Sequence, residues 1–341
     1  MGHRLQVMKK QILSITFLIL SSCIYGQKYG GGPNTFYQLQ TSPREVSLGY
    51  SGIASAQGPF SVYWNPAGLA FNQSKSMYSL IYPFSVASEN NLSIHNSNSN
   101  TLSIGMMRGQ FLNYENLFFA FNLFHRNYGD ITGTELNINN EIQESGIFDY
   151  GNNLVAFSVS NKIQNIYTGF TIKWTHYSSS QMENSDGYGA DFGLRVDLNE
   201  KTTYGFVIKY DQYEYQRQIR TGIGLKRKFG ISSIDLDLNG GDNLAPEIGS
   251  GLEVLLGKSL FLRTGINVSK NELSGGFSPR FVGFGFGFIS DLPGKNNNLL
   301  SASKKKLKFD FSYSFYFESD EVSEYLSLVD YPIKINISYI L

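Results

Sequence analysis

The sequence predicts an all-β protein, a transmembrane antiparallel β-barrel of about fourteen strands with an N-terminal plug in its lumen. Three observations predict this fold. The 341 residues include 26 Phe, 22 Tyr and 35 Gly, a composition that favours strands over helices. Apolar and polar residues alternate with period two through most of the chain. The connections between these segments are short and long in turn, which is typical of barrels that span an outer membrane.

The first 26 residues have the layout of a secretory signal peptide. Two lysines follow Met8, which we take as the start, and precede an apolar run over residues 12–20. That run is too short to cross a bilayer as a helix. Cleavage after Gly26 would leave a mature chain without cysteine, whereas lipoprotein processing would leave a lipidated Cys23 at its front. The sequence therefore predicts an exported protein without disulfides.

Residues 27–73 have no sustained alternation and are rich in small residues, so they form the predicted plug. Within them, "SVYWNPAGLAF" at 61–71 has Asn before Pro and Gly after Ala, which favours a tight irregular turn. Apolar anchors, Trp64 and Phe71, lie on either side of the turn. A disordered periplasmic leader is the alternative, and the aromatic residues argue against it. The plug motif comprises Trp64, Asn65, Pro66, Ala67, Gly68 and Leu69.

Residues 74–341 form the predicted barrel. In "KLKFDFSYSFYF", Leu307, Phe309 and Phe311 share one strand face, while Lys308 and Asp310 share the other. We place the strands at 74–85, 100–110, 116–127, 152–162, 165–177, 186–198, 202–213, 217–228, 231–239, 246–257, 259–269, 278–290, 305–317 and 331–341. Most of them reach the roughly 9 to 11 residues that a tilted strand needs to cross the hydrocarbon layer.

The connections fall into two alternating sets. Tight turns are centred on 114, 164, 200, 230 and 258, and longer connections span 86–99, 128–151, 178–185, 240–245, 270–277 and 318–330. Long loops on one side indicate the extracellular side, so both termini are predicted in the periplasm. Two connections break the rule, because 291–304 is long where a turn is due and 213–217 is short where a loop is due. A miscounted hairpin would explain both.

A soluble β-sandwich also alternates, but its two apolar faces share one core about 10 Å thick. Fourteen aromatic-rich strands supply more apolar surface than such a core uses. In a membrane barrel the same surface meets lipid, and no sheet edge is left unpaired in the bilayer. The sequence therefore favours the membrane barrel over the sandwich.

The polar strand faces would line the lumen with charges of both signs. One interpretation is a lattice of cross-strand ion pairs that stiffens the wall, and the other is a polar conduit. The glycines of "GFGFGF" at 283–288 predict a bare inner face that a plug backbone can approach. The candidate lumen charges are Lys173, Asp191, Arg195, Asp197, Lys209, Arg220, Lys226, Asp235, Asp237, Glu253, Arg263, Lys308 and Asp310.

Several function classes find no support in the sequence. Lys and Arg number 28, as do Asp and Glu, so the charge pattern that nucleic-acid binding needs is missing. His95, His125 and His176 lie on separate segments without metal-ligand spacing. The chain has no G-x-S-x-G elbow, and no catalytic group can be named. We therefore expect neither an enzyme nor a bound metal or cofactor.

The run "SPREVSLGYSGIASAQGPFSVYWNPAGLAF" at 42–71 resembles the N-terminal signature of the FadL-like outer-membrane barrels, specifically their PorV/PorQ branch in Bacteroidetes type IX secretion. Tyr50 and Leu341 depart from the pattern, the first where a small residue is usual and the second where an aromatic often ends the chain. The matching positions are Arg44, Leu48, Gly49, Gly52, Ala54, Asn65, Pro66, Ala67, Gly68 and Leu69.

The resemblance implies fourteen strands with an N-terminal hatch in the outer membrane of a Gram-negative, Bacteroidetes-type cell. The branch implies protein secretion or surface attachment, with secretion components and exported proteins as partners. The wider superfamily implies the alternative, a channel for fatty acids or other hydrophobic small molecules. A long ordered loop at 128–151 would favour the first function, and a kinked or interrupted strand would favour the second. A structural or adhesive barrel would need neither.

Overall fold

The computed structural model describes residues 42–71, 76–84, 99–111, 114–136, 142–179, 184–213, 216–242, 244–270, 277–291, 305–316 and 333–340. The predicted signal peptide at 1–26, Cys23, the first part of the predicted plug, His95 and Leu341 lie outside these residues. So do the connections 292–304 and 317–332.

Fourteen strands make up the described part of the barrel. They are β1 (Ser76–Phe84), β2 (Ser99–Phe111), β3 (Tyr114–Leu136), β4 (Ile142–Ile163), β5 (Ile166–Ser179), β6 (Ser185–Asn199), β7 (Thr202–Tyr213), β8 (Gln216–Phe229), β9 (Ser232–Gly241), β10 (Leu244–Leu256), β11 (Leu260–Lys270), β12 (Phe277–Asp291), β13 (Lys306–Tyr316) and β14 (Ile333–Ile340).

The sheet closes on itself. Each strand pairs antiparallel with its neighbours in sequence, and β1 pairs with β14 from Met77 opposite Ile340 to Phe84 opposite Ile333. The closed fourteen-strand antiparallel barrel predicted from the alternation is thereby confirmed. The irregular connections 213–217 and 291–304 did not reflect a miscounted hairpin, because β7, β8, β12 and β13 all take their places in the closed sheet.

One predicted connection is wrong. The loop expected over 128–151 is largely strand, because β3 continues to Leu136 and β4 begins at Ile142. The two strands stay paired through this extension, with register shifts after Tyr128 and Gly133. Polar sequence suggested a loop, but the backbone hydrogen bonds of a hairpin are satisfied whatever the side chains are. A protruding hairpin therefore replaces the long loop.

The two strand faces differ in exposure as the alternation requires. On β5, Phe170 and Ile172 are 45% and 52% exposed on the outer face, while Thr171 between them is fully buried. On β12, Phe284, Phe286 and Phe288 face outward between inward glycines, whereas Phe281 is buried against Tyr50 of the N-terminal segment. The outer surface is therefore apolar and the inner surface is polar or bare.

The two ends of the barrel are named by their connections. The turn end carries the turns at 164–165, 200–201 and 230–231 together with the end of β14. The loop end carries the connections 85–98, 137–141 and 180–184.

The N-terminal segment, residues 42–71, lies inside the barrel. It contains the short helix α1 (Pro43–Ser47) and two 3₁₀ helices, Pro59–Tyr63 and Pro66–Leu69. These three helices contact β11–β14, β1–β3 and β3–β6 respectively, so the segment meets most of the wall from within. No helix in the described part of the chain is long and apolar enough to cross a membrane.

A left-handed turn ends α1. Gly49 and Tyr50 have φ of 70° and 61°, and their N–H groups donate to the carbonyls of Val46 and Glu45 at 3.0 Å each. This pairing is a Schellman motif, which satisfies carbonyls at the end of a helix. The turn directs the chain across the barrel immediately after α1.

Candidate functional site: the barrel interior

Inward glycines allow the N-terminal segment to lie directly on the wall. A Cβ added to Gly265 of β11 would lie 2.2 Å from the backbone N of Gly49 and C of Leu48. A Cβ on Gly169 of β5 would lie 2.3 Å from the carbonyl carbon of Pro66. Backbone thus packs on backbone on opposite sides of the barrel, and these contacts leave no room for any side chain larger than hydrogen.

The "GFGFGF" strand takes part in this contact. A Cβ on Gly283 would lie 2.5 Å from the carbonyl oxygen of Val46, and one on Gly285 would lie 2.6 Å from Cβ of Ser47. Gly287 differs, because its added Cβ would meet the side chains of Arg263 and Asp310 instead. Therefore α1 packs directly against Gly283 and Gly285.

Arg44 of α1 ties the segment to the wall. Its Nε and Nη2 donate to the two carboxylate oxygens of Glu253 on β10 at 3.1 and 3.2 Å, and its Nη1 donates to Glu45 at 2.7 Å. Burial alone would lower the pKa of Arg44, but the charges of Glu253, Glu45 and Asp235 more than offset it and hold that pKa well above its ordinary value. Arg44 is therefore a buried, permanently charged anchor.

The network continues along the wall from Glu253. Arg263 of β11 donates to Glu253 at 2.7 Å and to Asp310 of β13 at 2.8 Å. Lys308 approaches Asp310 at 2.9 Å. Because Glu253 pairs with both Arg44 of α1 and Arg263 of the wall, a single charge network joins the segment to β10, β11 and β13.

Asp237 of β9 holds the turn after α1. Its Oδ2 accepts hydrogen bonds from the backbone N–H groups of Gly52 and Ile53 at 2.6 and 2.8 Å. A carboxylate that accepts two N–H groups is a strong backbone anchor. This contact fixes the middle of the segment against β9.

Asn65 of the predicted plug motif bonds to both segment and wall. Its Oδ1 accepts from Ala67 N at 3.0 Å, and its Nδ2 donates to the carbonyls of Ile53 at 2.8 Å and Leu194 at 3.1 Å. The side chain is 1% exposed. The Asn-Pro pair therefore combines a helix cap with a cross-link to β6.

Asn65→Ala is expected to destabilise the protein by about 1 to 3 kcal/mol, because it leaves the buried carbonyls of Ile53 and Leu194 without their donor. Chemical or thermal unfolding of the purified barrel measures the change. Asn199→Ala is the matched control, since exposed Asn199 only accepts from Lys201 N and should matter by less than about 0.5 kcal/mol. Equal stability of the two variants would contradict this role.

The remaining motif residues pack as a small apolar core. Ala67 and Leu69 are fully buried in a cluster with Met77, Met107 and Phe118 of the wall. A Cβ on Gly68 would lie 2.4 Å from the carbonyl oxygen of Ala56 within the segment. Pro66 begins the second 3₁₀ helix, where its missing N–H costs nothing.

Aromatic rings cover the segment on the side of the loop end. Tyr50 lies between Trp64, with ring centroids 5.7 Å apart, and Phe281, with centroids 4.3 Å apart. Burial raises the pKa of the neighbouring Tyr63 hydroxyl well above its usual value. Tyr50, where the family signature has a small residue, thus serves as part of an aromatic layer.

The segment separates two cavities. The loop-end cavity, about 80 Å³, lies between Tyr50, Tyr63 and Trp64 of the segment and a charged wall. In that wall Lys173 contacts Asp191 at 2.7 Å and Asp211 at 3.0 Å. The charged residues of this wall are Lys173, Asp191, Lys209, Asp211, Arg220 and Glu247.

The turn-end cavity is larger, about 770 Å³. Ser55, Gln57 and Phe71 of the segment form one side of it, and Arg195 and Lys226 lie in its wall. It extends to the turns at 199–200 and 230–232, so it opens toward the turn end.

The structure places the candidate lumen charges on the inner faces of β5–β11 and β13, where most of them form ion pairs. The contacts are Lys173 with Asp191, Arg195 with Asp197, Lys226 with Asp235 and Glu253, Arg263 with Glu253 and Asp310, and Lys308 with Asp310. Lys209 instead donates to the carbonyl of Tyr63 in the segment. Asp237 also bonds to the segment, as described above.

Three interior contacts were missed by sequence reasoning. Arg44 was noted only as part of a family signature, and neither its pairing with Glu253 nor the role of Glu45 was foreseen. The stacking of the Arg195 guanidinium on Phe71, with its carbon 3.4 Å from the ring centroid, was missed as well. Paired residues 209 positions apart give no local signal, although an arginine in a small-residue stretch otherwise free of cations could have suggested a buried partner.

The two histidines among the described residues lie outside the interior. His125 pairs with Asn153 at 2.7 Å and His176 with Asp186 at 2.9 Å, and all four side chains belong to the outer face near the loop end. Within the described residues, no group of three or more His, Cys, Asp or Glu side chains is placed to bind a metal ion.

No family model and no curated protein matches the sequence. Among solved structures, the chain is similar to the toluene transporter TodX of Pseudomonas putida, with a TM-score of 0.57 and 10% identity over 88% of this chain and 97% of TodX. The toluene transporter TbuX of Ralstonia pickettii aligns with a TM-score of 0.58 and 11% identity over 88% of this chain and 97% of TbuX.

A FadL homologue from Pseudomonas aeruginosa aligns with a TM-score of 0.49 and 9% identity, over 88% of this chain and 97% of the homologue. At about 10% identity the shared property is the architecture. The chain therefore has the barrel fold of the TodX and TbuX transporters.

Proposed function

We propose that this protein is an outer-membrane channel for hydrophobic small molecules, rather than an enzyme, and that the N-terminal segment is its hatch. The observation that carries the proposal is the position of that segment, which divides the barrel interior into a loop-end and a turn-end cavity. A barrel of fourteen strands encloses more space than its own side chains fill. The segment occupies that space and controls passage between the two ends.

The outer surface supports a membrane location. Phe157, Phe192 and Ile208 are among many large apolar side chains that are more than a third exposed on the outer face. An apolar surface of this extent is unfavourable in water and favourable against lipid. With the long connections outside the cell, both chain ends and the turn-end cavity face the periplasm.

An interruption between β1 and β2 supports passage of an apolar molecule through the wall. β1 runs to Phe84 and β2 begins at Ser99, yet the two strands pair only from Ser76–Arg108 to Ile81–Ser103. Pro83 lies in the part of β1 that pairs with β14 but not with β2, and a proline has no backbone N–H to donate. This gap near the loop end gives an apolar molecule a route between lipid and lumen.

The similar architectures support the same function. TodX and TbuX are described as toluene transporters, so toluene is the probe of choice for this barrel. The PorV/PorQ resemblance suggested a secretion function, which a long ordered loop at 128–151 would have favoured. A paired hairpin occupies most of that stretch instead. No observation in the described residues favours secretion over the channel.

Pro83→Val is expected to lower toluene uptake several-fold. The valine restores an N–H, and strand pairing between β1 and β2 can then extend past Ile81 and close the gap. Uptake of radiolabelled toluene by cells that contain equal amounts of each barrel measures the effect. Ile81→Val, in the paired part of β1, is the control and should leave uptake unchanged.

Two results would overturn the proposed function. One is toluene uptake by wild-type cells that does not exceed that of cells without the barrel. The other is co-purification of exported proteins or secretion components with the barrel from its native membrane, with no apolar small molecule bound.

A further inference from the structure

The β3–β4 hairpin is the longest at the loop end of the described barrel. β3 and β4 have 23 and 22 residues, whereas their other neighbours, β2 and β5, have 13 and 14. The described part of β2 pairs with β3 as far as Tyr128, and β5 pairs with β4 as far as Tyr150. From Tyr150 to Ile142, at about 3.3 Å per residue, β4 continues for roughly 26 Å. The hairpin therefore projects past both neighbouring strands.

One edge of this hairpin has no strand partner among the described residues. β5 ends at Ser179, which lies opposite Tyr150. After a short connection the chain returns as β6, with Ser185 opposite Tyr177. Because the β5–β6 hairpin turns back at this level, residues 142–149 of β4 pair only with β3 in the part of the chain that the structure describes. In an antiparallel pair every second residue turns its N–H and C=O away from the partner, so the β4 edge presents backbone groups that an added strand can bind.

A bulge divides this edge. β4 advances from Glu144 to Gly146 while β3 moves by one residue, so Ser145 is an extra residue in β4. An extra residue bends a strand and interrupts its regular pairing. The regular part of the edge is therefore 146–149, the part next to the barrel, and its length suits a short extended segment.

The charge of the hairpin decides which segment fits. Residues 129–136 and 142–149 include four acids and no lysine or arginine. The acids are Asp130, Glu135, Glu144 and Asp149. Charges on an edge strand commonly prevent self-association, and a second copy of this hairpin would bring like charges together. A strand that carries lysine or arginine would meet opposite charges instead.

We propose that the β4 edge at 146–149 is a docking site for a short, extended and basic polypeptide segment, which adds to the hairpin as a further strand. Backbone hydrogen bonds supply the strand pairing, and the acids of the hairpin select the positive charge of the segment. With the long connections outside the cell, the site is open to a protein at the cell surface. The inference goes beyond the proposed channel function and does not depend on it, because the site lies outside the barrel interior.

Calorimetry on the purified full-length barrel tests the site with three short peptides. Lysine and valine alternate in the first peptide, and glutamate replaces lysine in the second. The third is the lysine peptide with an N-methyl group on every residue, which keeps its charge and removes its backbone donors. We expect the lysine peptide to bind, the N-methylated peptide to bind about tenfold more weakly or worse, and the glutamate peptide not to bind. Added salt should weaken binding of the lysine peptide.

Glu144→Gln/Asp149→Asn should weaken binding of the lysine peptide about three- to tenfold, the range expected for two exposed ion pairs. Glu200→Gln/Asp242→Asn is the matched control, because it removes two exposed acids that lie away from the hairpin. Binding to this control should be unchanged. Gel mobility and thermal unfolding show whether each variant is folded.

A shortened barrel gives the strongest contrast. In this variant an Asn-Gly turn joins Tyr128 to Tyr150, which lie opposite each other at the base of the extension. The shortened barrel should not bind the lysine peptide. If it does not fold, the Glu144→Gln/Asp149→Asn variant and the N-methylated peptide carry the test.

Three results would overturn the docking site: equal binding of the N-methylated and the unmodified lysine peptide, unchanged binding by the shortened barrel, or association of wild-type barrels with each other that the shortened barrel loses. The last would make a second copy the occupant. Toluene uptake separates this inference from the proposed function. Peptide binding by a barrel that takes up no toluene contradicts the channel alone, whereas toluene uptake without peptide binding contradicts the docking site alone.

Discussion

Arg44→Met is expected to lower the free energy of unfolding by about 3 kcal/mol, because breaking a buried ion pair leaves a charge without its partner. Glu253 would keep Arg263 at 2.7 Å, so the loss lies at the lower end of the range for buried pairs. Glu45 would lose its cation altogether. Urea or thermal unfolding of the purified barrel measures the change.

Two further variants sharpen this test. Arg280→Gln breaks an ion pair with Glu247 whose side chains are 27% and 31% exposed, and it should cost less than about 1 kcal/mol. In an Arg44→Met/Glu45→Gln double variant the charge that lost its cation is removed, so part of the lost stability should return. An Arg44→Met protein as stable as wild type would show that the segment does not depend on this anchor.

Gly265→Val is expected to open the barrel to small polar solutes. The Cβ of the added side chain would lie 2.2 Å from the backbone C of Leu48 and N of Gly49. Unlike the end of a flexible side chain, these backbone atoms cannot rotate away from the overlap. Valine itself suits a strand, so the wall should persist and the segment should move. The rate at which liposomes that contain the barrel swell in an arabinose solution measures this opening.

Gly222→Val is the matched control for this variant. Its added Cβ would meet only side-chain atoms, those of Asn239, Ile53 and Val207, which can shift by rotating. Liposomes with this variant should swell as slowly as those with wild type. If liposomes with Gly265→Val swell as slowly as those with wild type, the segment moves without opening a path through the barrel, and the prediction is wrong.

Much of the barrel was predictable because strand alternation is local. That Phe309 and Asp310 point to opposite faces, as do Phe170 and Thr171, follows from the period of two. An even strand number follows from closing a sheet in which every pair of neighbouring strands is antiparallel. The inner glycines at 283 and 285 were recognised by the same alternation. The hairpin at 128–151 was missed because its polar sequence carries no alternation, although its backbone pairs normally.

The interior contacts were not predictable, because they join residues far apart in the chain. Arg44 with Glu253, and Asp237 with the backbone of Gly52, meet only after the barrel has closed around the segment. The sequence by itself determined which strand face points outward and which points into the lumen, since side-chain direction is a local property. Only the tertiary structure decided which lumen charges pair with one another and which hold the segment, because burial and distance arise from the closed barrel as a whole. It also decided that Nε and Nη1 of buried Arg195 have no hydrogen-bond partner among the described residues.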